Sequence, residues 1–466
     1  MPDFVFESAA TLARMIRDRD ASPVEIVQAH INRIEAVNDR INAYVTTAFD
    51  SALEDARRLE DAAVRGQILG PLHGVPVSIK DSINTAGIRT VAGTRLLEHN
   101  VPAEDALSVS RLRAAGAIVL GKTNVSEFCM DMRSENAVFG RTNNPWDLTR
   151  TAGGSSGGEA AAIASGCSPA GIGSDFGGSI RVPAHFCGVV GLKTTPGRVG
   201  ASGHIPVTRG PFSLGTSIGP LARHVEDLQL MLDVLSGFDP LDPVSVPSLA
   251  RVGARSFRVM FYTDDGVSGV TAETREAVER GARVFSERGI EVVQRRPAGI
   301  EQSHHLWSTL LARPGAAGII ESYNGREELM GPLMKAVAKN ARPQTIAEFL
   351  SAWFERDALR ASMLKEMSDF EIFLAPVCAV PAFAHEHRGT FSVEGKQVGY
   401  LRAFSYCQAY NLVGFPSAVV PCGESPEGLP IAVQVVARPF EEETALAAAA
   451  ILEENFGGCK VPSAEC

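Results

Sequence analysis

One stretch, residues 153–183, constrains the fold of this chain more than any other; it reads GGSSGGEAAAIASGCSPAGIGSDFGGSIRVP. It places two serines, Ser155 and Ser179, in glycine-rich turns, where the scarcity of neighbouring Cβ atoms lets other groups come close to the backbone. The alanine-rich segment between the turns, EAAAIASG, predicts a helix packed tightly beneath them. The sequence therefore predicts two turns that hold serine hydroxyls within reach of a second group.

The composition of the chain favours a globular enzyme over a nucleic-acid-binding, secreted or membrane-spanning protein. With 466 residues, of which 45% are hydrophobic and 21% charged, the chain is typical of a globular protein of one or two domains. A net charge of −10 disfavours a nucleic-acid-binding surface. The N-terminal residues do not read as a secretory signal, and no apolar run is long enough to span a membrane. The eight cysteines form no C-x-x-C pair, which predicts free thiols, and we expect a cytoplasmic enzyme.

Alternating helix and strand signals predict an α/β fold. Helices are predicted over residues 8–20, 23–38, 51–65, 105–115, 217–236 and 442–453. Strands are predicted over residues 75–79, 117–120, 372–375, 417–420 and 431–436. The second helix has a clear start, with Ser22 and Glu25 as a capping box and Pro23 at its first position. Because strands recur near both ends of the chain, we expect one sheet within a single domain.

Glycine-rich loops often bind phosphate groups, but the two clusters here do not fit that use. A P-loop requires G-x-x-x-x-G-K-[ST], and no lysine follows either cluster. The run that begins at Gly171 misses the dinucleotide-binding spacing by one residue. A nucleotide-binding module is therefore a poor second interpretation.

The turn around Ser179 fits acyl transfer better. The peptide N–H groups after Phe176 can converge on one point, which is what an oxyanion hole requires. A serine nucleophile also needs a group that takes its proton. The usual group is histidine, and three lie nearest the glycine-rich segments: His73, His185 and His204. None of them has a recognisable triad context.

Lys80 is the alternative base. It follows Val75, Val77 and Ile79, whose alternation indicates a strand, and burial at the end of that strand would lower the pKa of the amine. A neutral amine could accept a proton, and Ser155 could carry that proton if the base and the nucleophile do not touch. Each motif alone has a simpler explanation: the lysine could be a solvated strand end, GGSSGG a flexible loop and GSDFGGS a turn without a function.

Together, the motifs resemble those of the amidase signature family of serine hydrolases. They are, in order along the chain, HGVPVSIKD, GKTNVSEF, NNPWD, GGSSGGEAAAIASG, GSDFGGSIRVPAHFCGVVGLK and GLPIAVQVVARPFEE. Their order and spacing match the family over most of the chain. The resemblance implies one large α/β domain over residues 1–466, with a central mixed β-sheet flanked by helices on both faces.

Within that domain we expect four parts. Residues 1–66 would form N-terminal helices and residues 70–236 the catalytic core. Residues 237–370 would be a variable, mainly helical region of the substrate pocket, and residues 371–466 would complete the sheet with strands and a helix. Residues 200–219 depart from the usual pattern of the glutamyl-tRNA amidotransferase A subunit, which favours a free-standing amidase.

The resemblance also implies a Ser–cis-Ser–Lys triad. Ser179 corresponds to the acylated nucleophile, Ser155 to a bridging serine that follows a cis peptide bond, and Lys80 to the terminal base. The oxyanion hole corresponds to four backbone N–H groups, those of Phe176, Gly177, Gly178 and Ser179. Supporting roles are expected for Ser156, Asp175 and Arg181.

The implied reaction is hydrolysis of an amide-type carbon–nitrogen bond in a small molecule, through a Ser179 acyl-enzyme. Anilides and carbamates are included as candidate substrates, and ester or urethane cleavage as a side activity. No metal or organic cofactor is expected, nor nucleic acid or a membrane, while a homodimer is left open. Cys129, Met130 and Asp131 are expected to line the pocket. Aromatic and aliphatic residues of the variable region, which hint at an apolar or aryl substrate, are Trp307, Leu310, Leu311, Trp353 and Phe354.

Two other functions stay open at this point. The chain could be the A subunit of a glutamine-dependent tRNA amidotransferase, which releases ammonia from glutamine inside a larger complex. It could also be a nonhydrolytic binding protein built on the same fold.

Overall fold

A computed structural model describes residues 4–247 and 256–462. Its helices are α1 (Ala9–Asp18), α2 (Pro23–Ile41), α3 (Phe49–Val64), α4 (Leu107–Ala114), α5 (Gly157–Ala164), α6 (Arg181–Cys187), α7 (Val225–Leu235), α8 (Ala272–Glu287), α9 (Ser303–Trp307), α10 (Arg313–Ser322), α11 (Pro332–Asn340), α12 (Ile346–Glu366), α13 (Ser405–Val413) and α14 (Glu442–Phe456). The predicted cap of α2 is confirmed, because Glu25 N donates to Ser22 Oγ and Ser22 N donates to the Glu25 carboxylate, both at 3.0 Å.

The strands are β1 (Tyr44–Thr47), β2 (Pro76–Lys80), β3 (Ile118–Thr123), β4 (Glu135–Asn136), β5 (Gly140–Arg141), β6 (Asn143–Asn144), β7 (Asp147–Thr151), β8 (Ala170–Asp175), β9 (Val190–Lys193), β10 (Ser217–Ala222), β11 (Val259–Phe261), β12 (Val292–Gln294), β13 (Ile372–Pro376), β14 (Thr390–Val393), β15 (Lys396–Gly399), β16 (Ser417–Glu424) and β17 (Pro430–Val436). Eleven of them form one sheet in the order β1-β3-β2-β8-β10-β9-β16-β17-β13-β11-β12.

The central sheet is mixed and joins distant parts of the chain. β2 runs parallel to both β3 and β8, whereas β10 is antiparallel to β8 and β9. β9 in turn pairs with β16, more than 200 residues later, in the register Ser417 opposite Lys193. The prediction of a single α/β domain with one mixed sheet is therefore confirmed.

Helices cover both faces of this sheet. Along β3, Val119 packs into one hydrophobic cluster, while its neighbours Ile118 and Leu120 pack into another. Successive side chains of a strand point to opposite faces, so the two clusters are the two core layers. The alanine-rich helix α5 is buried along its whole length, as predicted from its small side chains.

The predicted helix over residues 217–236 is wrong in its first third. That part is β10, which pairs with β8 along its whole length, and the helix α7 starts only at Val225. Every residue of β10 is buried, and a strand buried on both faces lacks the alternation that identifies strands in a sequence. The short strands β11 and β12, at the edge of the sheet, also lie in the region predicted as mainly helical.

β8 contains two glycines, Gly171 and Gly173, and for this reason its sequence does not show the pattern of a strand. A Cβ at Gly171 would lie 1.9 Å from Glu159 Oε1 and 2.5 Å from Ser78 O, so α5 and β2 can approach β8 only because this side chain is absent. Glycine is otherwise unfavourable in strands, which is why the sequence pattern reads as a loop.

We expect Gly171→Ala to lower the free energy of unfolding by at least about 1–3 kcal/mol, because backbone and carboxylate atoms must move to admit the methyl group. Urea denaturation measures this change. Gly318→Ala in α10 is the matched control, since no heavy atom lies within 4 Å of the added Cβ. It should leave stability unchanged or raise it by about 0.5–1 kcal/mol. Equal losses in both variants would contradict the packing argument.

Candidate active site

Lys80 lies at the end of β2, an interior strand of the sheet, and its side chain is fully buried. Its Nζ atom is 2.7 Å from Ser155 Oγ, 2.9 Å from Ser174 Oγ and 3.3 Å from Ser174 O. The structure therefore brings together the lysine and the first serine that the sequence analysis paired, and it adds Ser174.

Burial changes the protonation of this lysine. Removing the ammonium from water lowers the pKa of Lys80 from its ordinary value. The Cys129 thiol and the carboxylates of Asp175 and Glu159 act in the opposite direction. Desolvation is the larger effect, so the neutral amine, which can accept a proton, is favoured more than in an exposed lysine.

The Ser155 turn is built by close backbone approach. The peptide bond between Gly154 and Ser155 is cis, and a Cβ at Gly154 would lie 2.4 Å from Arg133 N. Ser134 Oγ donates to Ser155 O at 3.0 Å and holds the turn from the other side. Only glycine fits at position 154, because backbone atoms of the preceding loop occupy the space of any side chain.

Ser156 connects this turn to the second serine. Its N–H donates to Ser179 O at 3.1 Å, and its hydroxyl donates to Ser174 O at 3.3 Å. Ser156, for which a supporting role is expected, thus contacts both the Ser179 turn and the end of β8. The turns that carry Ser155 and Ser179 are tied to each other through it.

The Asp175 carboxylate organises the turn that carries Ser179. Gly178 N–H donates to its Oδ1 at 2.9 Å, and Ile180 N–H donates to its Oδ2 at 3.0 Å. Gly178 has a φ of 124°, a backbone conformation that favours glycine. The carboxylate engages the Gly178 N–H, so of the four predicted oxyanion donors we carry forward only those of Phe176, Gly177 and Ser179 as a prediction.

Arg181 neutralises that carboxylate. Its Nε and Nη2 donate to the two oxygens of Asp175 at 3.1 and 3.0 Å, and both side chains are fully buried. Arg181 also donates to Gln434 Oε1 at 3.0 Å and to Asn411 Oδ1. Burial alone would raise the pKa of Asp175, but the guanidinium outweighs it and lowers that pKa far below its ordinary value. The two expected supporting residues therefore form one buried ion pair beneath the turn.

Ser155 and Ser179 open into one cavity of about 470 Å³. Most of its wall is apolar, with contributions from Leu97, Phe128, Met130, Phe176, Phe212 and Ile319. Cys129 and Met130 line it, as expected. In the described part of the chain, Arg326 is the one arginine or lysine on its wall, and that residue is largely exposed.

Asp131 is placed differently from the expectation. It is not among the described residues that line the cavity; its Oδ1 instead accepts from Tyr400 Oη and from Met132 N, each at 2.7 Å. The carboxylate would be costly to bury against an apolar ligand, and these two donors hold it within the protein.

The aromatic residues of the variable region also act differently. Trp307 stands behind the cavity wall, where its Nε1 donates to Phe176 O at 2.9 Å and its ring lies 6.1 Å from that of Phe176. Leu310 and Leu311 are buried in the same core cluster, whereas Phe354 is 75% exposed. The remaining residue of the set, Trp353, stacks edge-on against Phe349. The structure does contain an apolar cavity, but the residues of the variable region that line it, such as Ile319, are different from the five that the sequence suggested.

Three residues near the lysine are not among the site residues predicted from the sequence, although one of them, His204, is a histidine considered there as a base. In the sequence, Ser174 lies within a glycine-rich run and Glu159 lies within a predicted helix, so neither stands out as a site residue. The Glu159 carboxylate accepts from Thr123 Oγ1 at 2.6 Å and from Ser78 Oγ, and burial raises its pKa to about 7. The sequence signal that could have identified Glu159 is a single charged residue within an otherwise small and alanine-rich helix.

The third is His204, whose Nε2 lies 2.9 Å from Ser174 Oγ. The other two histidines considered are structural. His73 Nε2 lies 3.0 Å from Leu59 O, and His185 Nδ1 accepts from Ala432 N at 2.7 Å. Burial lowers the pKa of His185 to about 4.

Cys129 is the remaining titratable group at the site. Burial disfavours its thiolate, but Lys80 and His204 outweigh burial, so the pKa of the thiol is lowered to about 6. This thiol therefore loses its proton more readily than an ordinary cysteine, next to a lysine whose pKa is also lowered.

We expect Asp175→Asn to lower the free energy of unfolding by about 3–5 kcal/mol, because it leaves the buried Arg181 guanidinium without its counter-charge. Chemical denaturation followed by far-UV circular dichroism measures the loss. The matched control is Glu454→Gln, which removes the exposed pair between Glu454 and Arg288. It should cost less than about 1 kcal/mol. A loss for Asp175→Asn no larger than that of the control would contradict the role of the pair.

Comparison with known proteins identifies the family of this fold. A relative from Carboxydothermus hydrogenoformans, the A subunit of glutamyl-tRNA(Gln) amidotransferase, is 33% identical over 97% of this chain and 98% of its own length. One solved structure, of a vestigial protein complex that bears on the origins of an s-triazine catabolic enzyme, superposes with a TM-score of 0.89 at 30% identity, over 98% of this chain and 100% of that one. A bacterial aryl acylamidase of the amidase signature family superposes with a TM-score of 0.87 at 27% identity, over 96% of each chain. The family model for amidases matches residues 25–446, and the chain belongs to the amidase (amidase signature) family.

Proposed function

We propose that this protein hydrolyses an amide-type bond in a small molecule with an apolar acyl group. The observation that carries the proposal is the 2.7 Å contact between buried Lys80 Nζ and Ser155 Oγ, at the floor of an apolar cavity that also contains Ser179. A buried amine next to a hydroxyl is the arrangement that a serine hydrolase without a histidine base requires.

In the proposed reaction, neutral Lys80 takes the proton of Ser155, which takes the proton of Ser179. The Ser179 oxygen then attacks the substrate carbonyl carbon. The N–H groups of Phe176, Gly177 and Ser179 are the proposed donors to the oxyanion. The protons return through the same groups to the leaving nitrogen, and the carbon–nitrogen bond breaks. Water then attacks the acyl-enzyme by the same route and releases the carboxylic acid.

The chemistry of the cavity wall favours an apolar acyl group. Nine of the residues that line it have leucine, isoleucine, valine, methionine or phenylalanine side chains, and Phe176 itself contributes one of the proposed oxyanion donors. Burying an aryl or alkyl group against such a wall contributes binding energy in proportion to the area removed from water. An aryl amide, an anilide or an aryl carbamate fits this wall, and the similarity to an aryl acylamidase supports the same choice.

The cavity draws on two of the four proposed parts of the domain. Residues from Leu96 to Thr216 belong to the proposed catalytic core, and residues from Gly315 to Arg326 to the proposed variable region. We propose that residues 70–236 supply the chemistry and residues 237–370 supply selectivity. Residues 1–66 and 371–466 would then complete the scaffold.

A second function has its own support. The relative from C. hydrogenoformans is named as the A subunit of an amidotransferase, and the similarity extends over nearly the full length of both chains. In that case the chain would release ammonia from glutamine and work with partner chains and tRNA. Free glutamine carries an ammonium and a carboxylate, which need buried counter-charges or strong hydrogen bonds. The names of the relatives favour this function, whereas the apolar wall of the cavity, on which Arg326 is exposed, is the observation against it.

Ser179→Ala should abolish hydrolysis, with a loss of kcat/KM on the order of 10⁶-fold, because it removes the hydroxyl that forms the proposed acyl-enzyme. It should also abolish covalent labelling by a fluorophosphonate, followed by mass spectrometry of the peptide that contains Ser179. Ser165→Ala is the matched control, since that buried hydroxyl at the end of α5 has no hydrogen-bond partner among the described residues. Labelling that persists in Ser179→Ala would overturn the assignment, and a wild type that binds amides without cleaving them would favour the nonhydrolytic alternative.

A panel of p-nitroanilides, aryl carbamates, short primary amides and glutamine tests the substrate class. We expect the highest kcat/KM for substrates with an aryl or long alkyl acyl group. Ile319→Asp, on the cavity wall, should reduce that value by at least about tenfold because it places a carboxylate against the apolar group. Ile346→Asp, at a position that is 79% exposed, is the control. Ammonia release from glutamine that depends on added partner chains would instead support the amidotransferase function.

A further inference from the structure

A chain of hydrogen bonds continues beyond Lys80, away from Ser155. Ser174 Oγ lies 2.9 Å from Lys80 Nζ and also 2.9 Å from His204 Nε2. On the far side of the imidazole, Nδ1 lies 2.9 Å from Pro206 O. All three side chains are nearly or fully buried, although His204 also reaches the cavity wall.

The backbone holds this imidazole in place. His204 forms a β-bridge with Ile83, just beyond the strand that carries Lys80, and Ile205 N donates to Ser82 O at 2.7 Å. Ser82 Oγ approaches Nε2 at 3.3 Å. The residue is thus attached to the same loop that positions the lysine.

Counting donors and acceptors fixes the protons in this chain. Pro206 O can only accept, so Nδ1 of His204 carries a proton and Nε2 of the neutral ring is an acceptor. Ser174 Oγ then donates its proton to Nε2 and can accept one from Lys80. Ser174 O accepts the second N–H of the neutral amine. The single lone pair of the amine is left for Ser155.

Protonation of the imidazole reverses the arrangement. Nε2 then donates to Ser174 Oγ, and the serine proton turns to the nearest remaining acceptor, the amine of Lys80. The lone pair of the amine is now occupied by Ser174. Both N–H groups point elsewhere, and the amine can no longer take a proton from Ser155.

We propose that His204 is a positioning residue for the base: acting through Ser174, its neutral Nδ1–H form directs the lone pair of Lys80 to Ser155, and its protonation switches the relay off. This inference rests on the proposed hydrolytic function of the same site. It predicts that the active form of the site lacks two protons, one on Lys80 and one on His204.

Other titratable groups face this cluster and must be separated from it. The Cys129 thiol contacts both Lys80 and His204, and the carboxylates of Asp175 and Glu159 act on Lys80 from the other side. Of these groups, the Cys129 thiol, with its pKa lowered to about 6, and the Glu159 carboxylate, with its pKa raised to about 7, could each supply a second proton in the same range of pH. The contribution of the thiol is tested by a separate variant, and a second proton supplied by Glu159 would leave the slope unchanged in His204→Gln.

The test is the pH dependence of fluorophosphonate labelling at Ser179, from pH 5 to pH 9. For the wild type, a plot of the logarithm of the labelling rate against pH should rise on its acid side with a slope greater than one and approaching two. His204→Gln supplies an amide oxygen that accepts from Ser174 but does not titrate, so its slope should fall to one, with the rate at pH 9 within about tenfold of the wild type. His204→Leu removes the acceptor and should lower the rate at every pH by at least about tenfold.

Cys129→Ala is the control, and it should keep the steep slope of the wild type. A wild-type slope of one, an unchanged slope in His204→Gln, or a slope that falls to one in Cys129→Ala but not in His204→Gln would each overturn the proposal.

A measurement independent of catalysis separates this inference from the proposed function. In Ser179→Ala protein labelled with ¹⁵N-histidine, the imidazole signals absent from the Ser179→Ala/His204→Gln double variant belong to His204. At pH 8 they should show a protonated Nδ1 and a bare Nε2. A protonated Nε2 at that pH would overturn the inference even if hydrolysis is observed. The expected tautomer with no labelling of the wild type at any pH would instead count against the proposed hydrolysis alone.

Discussion

The Asp175 carboxylate is the interaction on which the site depends most. It is fully buried, so its charge must be stabilised by protein donors. Two backbone N–H groups of the Ser179 turn and the guanidinium of Arg181 provide these donors, and Asn411 Nδ2 adds another at 2.9 Å. The turn therefore has its shape because a buried charge requires it, and that charge is tolerable only because Arg181 is fixed by two further elements.

Desolvation has opposite outcomes at the ends of two neighbouring strands, β2 and β8. At Asp175, burial is overcome by the guanidinium, and the carboxylate stays ionised and structural. At Lys80, burial prevails over the surrounding acceptors, and the amine becomes a better base. The difference lies in the partners: a bidentate cation for the carboxylate, but hydroxyl and carbonyl oxygens for the amine. Neighbouring strand ends can thus hold a fixed charge and a mobile proton.

Much of the fold and part of the site could be predicted from the sequence, for physical reasons. The helix α2 has a local capping box, and β2 alternates, so both are visible without tertiary information. β8 and β10 were missed because glycine in the first and burial on both faces of the second remove the local signal. Likewise Lys80 and Ser155 stand in distinctive motifs, whereas the contact of His204 with Ser174 depends on a loop whose position only the folded chain determines.

The pairing of β9 with β16 has a consequence for synthesis of the protein on the ribosome. Arg181 is fixed by Asn411 and Gln434. The strand after its helix, β9, pairs with β10 on one side but finds its other neighbour only in β16, at Ser417. A nascent chain that has reached residue 400 already contains both serines and the lysine, yet lacks the residues that hold their scaffold in place. The site therefore cannot mature while most of the chain is being translated; it is assembled when the C-terminal strands emerge.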